Sequence, residues 1–315
     1  MSNLLRLAAL LGLTILLSAC AGRAPHLPDT ASLAHLPDQV LLQDVPFHAQ
    51  DEYQCGPASL AMVLNHREVA ATPEGLKDRV YIPERQGTLQ VEMVSAVREK
   101  DLLVYPLDKQ LEAILTELDA GNPVLVMQNL AFNWYPQWHY AVVIGYDLPA
   151  RQLIVHSGLN AAQREAFPIF MRTWSRADYW ARVVLAPGQL PATAAALTYL
   201  KAASDLEQTG RLHSALQSYQ SAIEQWPDQP SARFGLANTL WAIGDKAAAL
   251  REFQRLVQDF PDFQPGWNNL AVGLEASGCR AQAERARQCA TQQGEAAQCV
   301  VVLEGRVPSR PLGCR

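Results

Sequence analysis

An α+β domain followed by an all-α repeat domain is the fold class that the sequence predicts. The first observation is a mixed order of signals between residues 40 and 187, with helical periodicity early and β-branched runs late. The second is a self-similarity of 34 residues between 196 and 295, in a stretch without strand signals. The third is length: 315 residues exceed one ordinary domain of about 100 to 200 residues and suit two.

The chain opens MSNLLRLAALLGLTILLSAC, in which Arg6 precedes an apolar run from Leu7 to Leu17 and Ser18-Ala19 lead into Cys20. A charged start, a short apolar centre and a small-residue close mark an export signal over 1–19. About 11 apolar residues fall short of the roughly 20 that a membrane-spanning helix needs. Leu17-Ser18-Ala19-Cys20 resembles the lipobox of bacterial lipoproteins, which implies cleavage before Cys20 and lipid on that cysteine. Ala21 in place of an aspartate implies, by the same resemblance, the periplasmic face of the outer membrane of a Gram-negative cell. Residues 20–39 are polar and carry Pro25, Pro28 and Pro37, a composition that predicts a lipid-anchored tether. About 20 flexible residues have a root-mean-square span near 25 Å.

Within 40–187, the segment from Cys55 to Asn65 predicts a helix, with Pro57 in the tolerant first turn and an apolar face behind it. Thr88 is the expected cap of a helix reaching about Lys100, and Asp108 that of a helix carrying Leu111, Ile114, Leu115 and Leu118 before Gly121. Strands follow at Val124–Leu130, Tyr140–Tyr146, Gln152–His156 and Ala181–Leu185, each a β-branched or aromatic run between turn signals. Helices first and an antiparallel sheet afterwards is the predicted order.

Pro187 and Pro191 mark a break, and residues 188–195 read as a linker. Beyond it, Ala202, Leu236 and Leu270 align at the 34-residue period, as do Ala203, Ala237 and Ala271, and Leu206, Leu240 and Leu274. Gly210, Gly244 and Gly278 form another set, and Ala215, Ala249 and Ala283 a further one. Tyr219 with Phe253 and Pro227 with Pro261 recur in the first two units, whereas Arg287 and Glu295 replace them in the third. The pattern resembles the tetratricopeptide repeat (TPR), which implies three helical hairpins over 196–295, the last a cap. Residues 296–315 are then a tail. Cys279, Cys289, Cys299 and Cys314 lie in a compartment where disulfides persist. A helix from about Cys279 to Ala290 would hold Cys279 and Cys289 roughly 15 Å apart, beyond the roughly 7 Å of bridged Cα atoms. Two pairings remain open, and the favoured one joins Cys289 with Cys299 and Cys279 with Cys314, pinning the tail.

A hydrophobic share of 49% and a charged share of 18% are those of a globular protein, so disordered and polytopic membrane classes are excluded. The net charge of -5 leaves no basic footprint for nucleic acid. No CxxC pair with a close histidine points to a metal, and no cofactor is implied.

The residues with chemistry are in Gln50-Asp51-Glu52-Tyr53-Gln54-Cys55-Gly56-Pro57-Ala58-Ser59-Leu60 and in Trp138-His139-Tyr140-Ala141-Val142-Val143-Ile144-Gly145-Tyr146-Asp147. A thiol attacks as thiolate, which a helix N-terminus and an imidazolium both favour, and Cys55 stands where a helix begins. His139 opens a strand, a rigid base from which to aim an imidazole. The two segments resemble the peptidase C39 family of papain-like, bacteriocin-processing cysteine peptidases, and more closely its C39-like relatives outside transporters. The resemblance covers about 45 to 185. It implies Cys55 as nucleophile and His139 as general base, with the Cys55 backbone N–H and a glutamine amide holding the oxyanion. The family places that glutamine six residues before the cysteine, where Ala49 stands here; Gln50 is the choice, because Gln54 adjoins the nucleophile.

The family's third member is an aspartate at the end of the next strand, a segment that here reads Val155-His156-Ser157-Gly158-Leu159-Asn160. Asp147 is excluded, because eight residues of strand place it roughly 26 Å from His139. Ser157 holds the aligned position, Asn160 has the chemistry of a papain-type orienter, and the sequence leaves both open. Trp134, Tyr135, Trp138 and Tyr140 read as packing before substrate groove, and His48, His66 and His156 as surface or core residues.

The reading is a periplasm-facing lipoprotein with a peptidase domain that cuts peptide or protein substrates, a TPR domain that recruits substrate or partner, and a membrane link through Cys20. The alternatives are a catalytically silent C39-like peptide-binding scaffold and an acyltransferase using the same thiol.

Overall fold

The structure, a computed structural model, describes residues 27–29, 31–49, 54–85 and 87–291. The export signal, Cys20, Gln50, Cys299 and Cys314 lie outside the described residues.

The first domain is built on a seven-stranded sheet whose pairings are all antiparallel. Its strands are β1 (Gln39–Leu41), β4 (Leu103–Pro106), β5 (Val124–Asn129), β6 (Trp138–Asp147), β7 (Gln152–Ser157), β8 (Asn160–Ala166) and β9 (Ala181–Leu185). They run β4-β9-β5-β6-β7-β8, with β1 pairing the far end of β6, and β2 (Tyr81–Ile82) with β3 (Gly87–Thr88) forms a separate ribbon. All six residues of β5 are buried, because both faces of the sheet are covered. Leu125, Met127, Tyr140, Val142 and Ile144 meet α1 (Cys55–His66), α2 (Pro73–Val80) and α3 (Gln90–Arg98) on one face. Val124, Val126, Ala141, Val143 and Val155 meet α4 (Leu111–Asp119) and α5 (Phe167–Ser175) on the other. Alternation along each strand sorts neighbours between the two cores.

The repeat domain is three helical hairpins: α6 (Ala196–Gln208) with α7 (Leu212–Gln225), α8 (Pro230–Ile243) with α9 (Lys246–Asp259), and α10 (Gln264–Ala276) with α11 (Arg280–Thr291). Ala215, Ala249 and Ala283 are each fully buried, so the repeated alanine is where paired helices touch. Gly210, Gly244 and Gly278 adopt φ of 78°, 94° and 84°, the left-handed turn between helices that a side chain resists. In the third unit Arg287 pairs with Glu275 and Glu284 instead of filling the core. Cys279 and Cys289 are buried in that unit and neither is a free thiol, while the pairings expected with Cys299 and Cys314 lie outside the described residues.

The expected order of helices and then an antiparallel sheet is observed, with β4 entering the sheet before α4 and pairing with β9, but smaller expectations change. Thr88 is not a cap: it belongs to β3 and Leu89 precedes α3, because the Thr88 side chain is used to fill the space over Gly56. Nor is Asp108, since α4 starts after Gln110, two residues later. The tether reading fails over 31–39, where Leu33 and Leu36 are buried in the core and Gln39 enters β1. The linker is fastened as well. Buried Glu117 accepts from the Thr193 N–H at 2.8 Å and hydroxyl at 2.6 Å, and the Tyr105 hydroxyl bridges Thr193 and Ala195. Tyr199, Leu200, Ala203 and Leu206 of α6 then join the same core as Leu103 and Tyr105, so the two domains share one hydrophobic interior.

Candidate active site

Helix α1 carries the thiol because nine consecutive residues, Gly56 to Leu64, are buried and fix its axis against the sheet. Its N-cap Gln54 makes no side-chain capping bond and its first turn holds no acid, so the positive end of the helix is left to Cys55. Gly56 is required by close approach: an added Cβ would stand 2.4 Å from the Thr88 hydroxyl oxygen. That hydroxyl is buried and has no hydrogen-bond partner among the described residues.

The ladder between β6 and β7 begins only at Val142 and His156, so the first residues of β6 are free of β7. The half-buried Cys55 lies against the backbone of Tyr140, within this part of β6. Burial pushes its thiol up, and the backbone N–H groups of Tyr140, Gly56 and Cys55 itself pull it part of the way back. His139 lies next to Tyr140 on β6, its Nε2 is 2.9 Å from the Ser157 hydroxyl, and burial pushes its imidazolium down to about 4. In the tautomer whose Nε2–H donates to Ser157, Nδ1 is the bare nitrogen available as a base; in the other, the Ser157 hydroxyl donates to Nε2. Both burial effects favour thiol and neutral imidazole at neutral pH, against the pull of the helix N-terminus toward thiolate. Among the described residues, no hydrogen bond joins Cys55 to His139.

Of the two candidates for third member, the structure brings only Ser157 to His139. Asn160 is exposed, faces Ser157 across the turn at Gly158-Leu159 and bonds Gln163 at 3.3 Å. Asp147 sits at the other end of β6 with Gln39 and Arg164. His48 bonds Asn65, His66 bonds Asp44 and the Gly121 carbonyl, and His156 is held between the Val45 carbonyl and the Ala162 N–H. Among the described residues, no group of three or more His, Cys, Asp and Glu is placed to hold a metal.

The loop between β5 and β6 stands beside His139 and departs from the packing expectation. Trp134 is 81% exposed, Tyr135 71% and Trp138 53%, and Phe132 stacks on Trp134 at 5.6 Å; only Tyr140 is core. Asn129 ties the loop by accepting from Ala131 and Gln137 N–H, and Arg176 donates to the Ala131 carbonyl at 2.6 Å.

Sequence reasoning missed Gln128 and Glu165. Gln128 lies opposite His139 on β5 and is buried; its amide donates to Thr173 at 2.8 Å and to both Glu165 oxygens at 3.4 Å. The available signal was a pair of amides, Gln128-Asn129, closing an apolar strand.

Residues 42–182 match the family model of the Peptidase_C39 like family. The match spans the whole sheet except β1 and the last residues of β9, and contains both Cys55 and His139. Residues 200–262 match a tetratricopeptide repeat model. Among solved structures, a C39-like peptidase from Bacillus anthracis is 18% identical, over 47% of this chain and 98% of its own, with a TM-score of 0.39. The peptidase domain of Streptococcus ComA, a bifunctional ABC transporter, is 19% identical over 47% and 98%, with a TM-score of 0.34. A double glycine motif protease from an AMS/PCAT transporter, solved with the leader peptide, is 17% identical over 47% and 97%, with a TM-score of 0.34. No curated protein matches the chain.

Proposed function

We propose that the C39-like domain is a cysteine peptidase in which Cys55 attacks a peptide carbonyl and His139 takes the thiol proton. The observations that support this reading are the Cys55 sulfur at the start of α1, facing the Tyr140 N–H, and the next residue along β6, His139, whose imidazole bonds Ser157. Resting thiol and neutral imidazole make His139 a general base that works as the thiol attacks, and such contacts tighten when substrate binds. The tetrahedral oxyanion is assigned to the Cys55 N–H and the Gln50 amide. His139 returns its proton to the leaving amine, and water then attacks the acyl thioester to release the acid and restore the thiol. The exposed aromatic loop, which leads into His139, gives an extended peptide an apolar surface.

On this reading the repeats recruit substrate or partner on a curved helical surface. Lipid on Cys20 holds the protein to the outer membrane, facing the periplasm. Among the described residues no helix is long and apolar enough to cross a membrane.

The test is incubation of the chain from residue 21 with a mixed peptide library, read by mass spectrometry beside Cys55→Ala. New peptide ends made by the parent and abolished by the variant support hydrolysis; conjugates with added glycinamide select acyl transfer. Equal spectra select a peptide-binding scaffold, the reading favoured by Ser157 in place of an acid.

A further inference from the structure

A cation without a counterion stands on the face of the sheet that carries Tyr140. Arg182 lies on β9 between Pro106 of β4 and Leu125 of β5, half-buried, and alternation with Trp180 and Val184 sets it on the side of α1 and α3. Its guanidinium rests over the Trp180 ring at 4.8 Å and donates to the Ala181 carbonyl at 2.8 Å. Among the described residues no carboxylate pairs with it, whereas Asp205 answers the charge of neighbouring Arg98 at 2.6 Å. Burial first, and then the Arg98 charge, hold Arg182 down to about 10, so at neutral pH it is a cation that the fold leaves unbalanced. A charge drawn partly out of water without a partner is a cost to the fold, and a ligand carboxylate would remove it.

Contacts lead from this cation to the thiol. Trp180 meets the Tyr140 ring edge-on at 5.6 Å, and the Tyr140 N–H bonds the Cys55 sulfur. The Tyr140 phenol is in range of both ends, raised by the Cys55 charge and lowered by that of Arg182. Met127, opposite Tyr140 on β5, donates its N–H to the Trp180 carbonyl and takes the Gln90 amide on its sulfur at 3.5 Å, which brings the start of α3 against the same residues. Tyr140, Met127 and Trp180 are buried and make a rigid base, while Leu89 and Val91 stand exposed at its edge. The two ring contacts together span about three residues of an extended peptide.

We infer that Arg182 is a specificity-determining residue whose guanidinium takes the carboxylate of an aspartate or glutamate about three residues from the scissile bond of a peptide substrate. The inference rests on the peptidase reading and names its substrate class, an acidic peptide. A guanidinium offers a carboxylate two parallel N–H donors, and the Trp180 face holds that fork in place before the peptide arrives. No covalent step is added to the reaction.

The experiment is cleavage of a peptide library in which each position within about four residues of the scissile bond is varied among Glu, Gln and Lys. Mass spectrometry reads kcat/KM for the chain from residue 21. The parent should cut peptides with Glu at one position about tenfold faster than those with Gln, and those with Lys most slowly. Arg182→Met, which keeps an unbranched stem on Trp180 without the charge, should bring the Glu-to-Gln ratio to about one, and Arg182→Glu should favour Lys. The ratio in the parent needs no variant, so a variant that fails to fold leaves the test standing. A parent ratio near one at every position, or a ratio unchanged in Arg182→Met, overturns the inference while leaving the peptidase reading intact. A parent that cuts no peptide faster than Cys55→Ala does overturns the peptidase reading and the inference with it.

Discussion

Ser157 carries the clearest residue-level consequence. Its hydroxyl holds the His139 ring at 2.9 Å without a charge, in a position where an aspartate would do both. Ser157→Asp should raise the proton affinity of His139 and speed Cys55 alkylation near neutral pH by about tenfold, whereas Ser157→Ala should slow it. The same imidazole has a stability signature. Unfolded histidine titrates near about 6.5, and the folded His139 is pushed down to about 4 by burial, so between these values the unfolded chain binds more protons. Its contribution is complete above the higher value and is lost as pH falls toward the lower one, by at most about 3 kcal/mol. Urea titrations at pH 7.5 and pH 5 should therefore show a larger loss in the parent than in His139→Ala; equal losses would mean that His139 titrates normally. The placement of Cys55 at a helix start and His139 at a strand start was legible because each opens a regular element with a recognisable tail. The choice between Ser157 and Asn160 was not, because it depends on a register shift between Val155 and Ser157 and on Gly158 at φ 59°. A shift of one residue exchanges the faces of a strand, and no local pattern announces it.

Elements were legible where local pattern and burial agree. Strand β9 is an apolar run buried at four of its five positions, and its bounds match the sequence reading. Strand β8 (NAAQREA) holds no β-branched or aromatic residue and is largely exposed, so its pairing with β7 makes it a strand. The first strand is similar: three residues defined by their contact with β6. Helix α1 shows how one contact can fix an element. Gly56→Ala would set a methyl 2.4 Å from the Thr88 hydroxyl oxygen and 2.6 Å from its Cβ, forcing α1 from β3. A loss of about 1 to 3 kcal/mol in urea unfolding is expected, partly recovered by adding Thr88→Gly. An unchanged midpoint would show that this approach is not tight.

At the scale of the molecule, composition shift and period separated the two domains, but they did not disclose that the domains share a core. Such sharing is legible only from which faces are covered. Helix α6 lies on the sheet face that includes Leu103 and Tyr105, Arg98 pairs with Asp205 at 2.6 Å, and the Ser214 hydroxyl donates to the Asp101 carbonyl at 2.9 Å. The repeats are thus a structural cover for the C39-like domain as well as a surface of their own. Calorimetry of residues 21–315 should give one transition for both domains, and residues 40–187 alone should melt lower or aggregate. Two transitions, with the fragment as stable as the parent, would show separate units.

The central claim is that Cys55 and His139 act as one chemical unit, and alkylation of Cys55 against pH in the parent and in His139→Ala tests it most directly. The account predicts a rate in the parent that stays level through neutral pH and is lost in His139→Ala, which should show only a thiol titrating above its ordinary value. The same rising thiol curve in both proteins would contradict it.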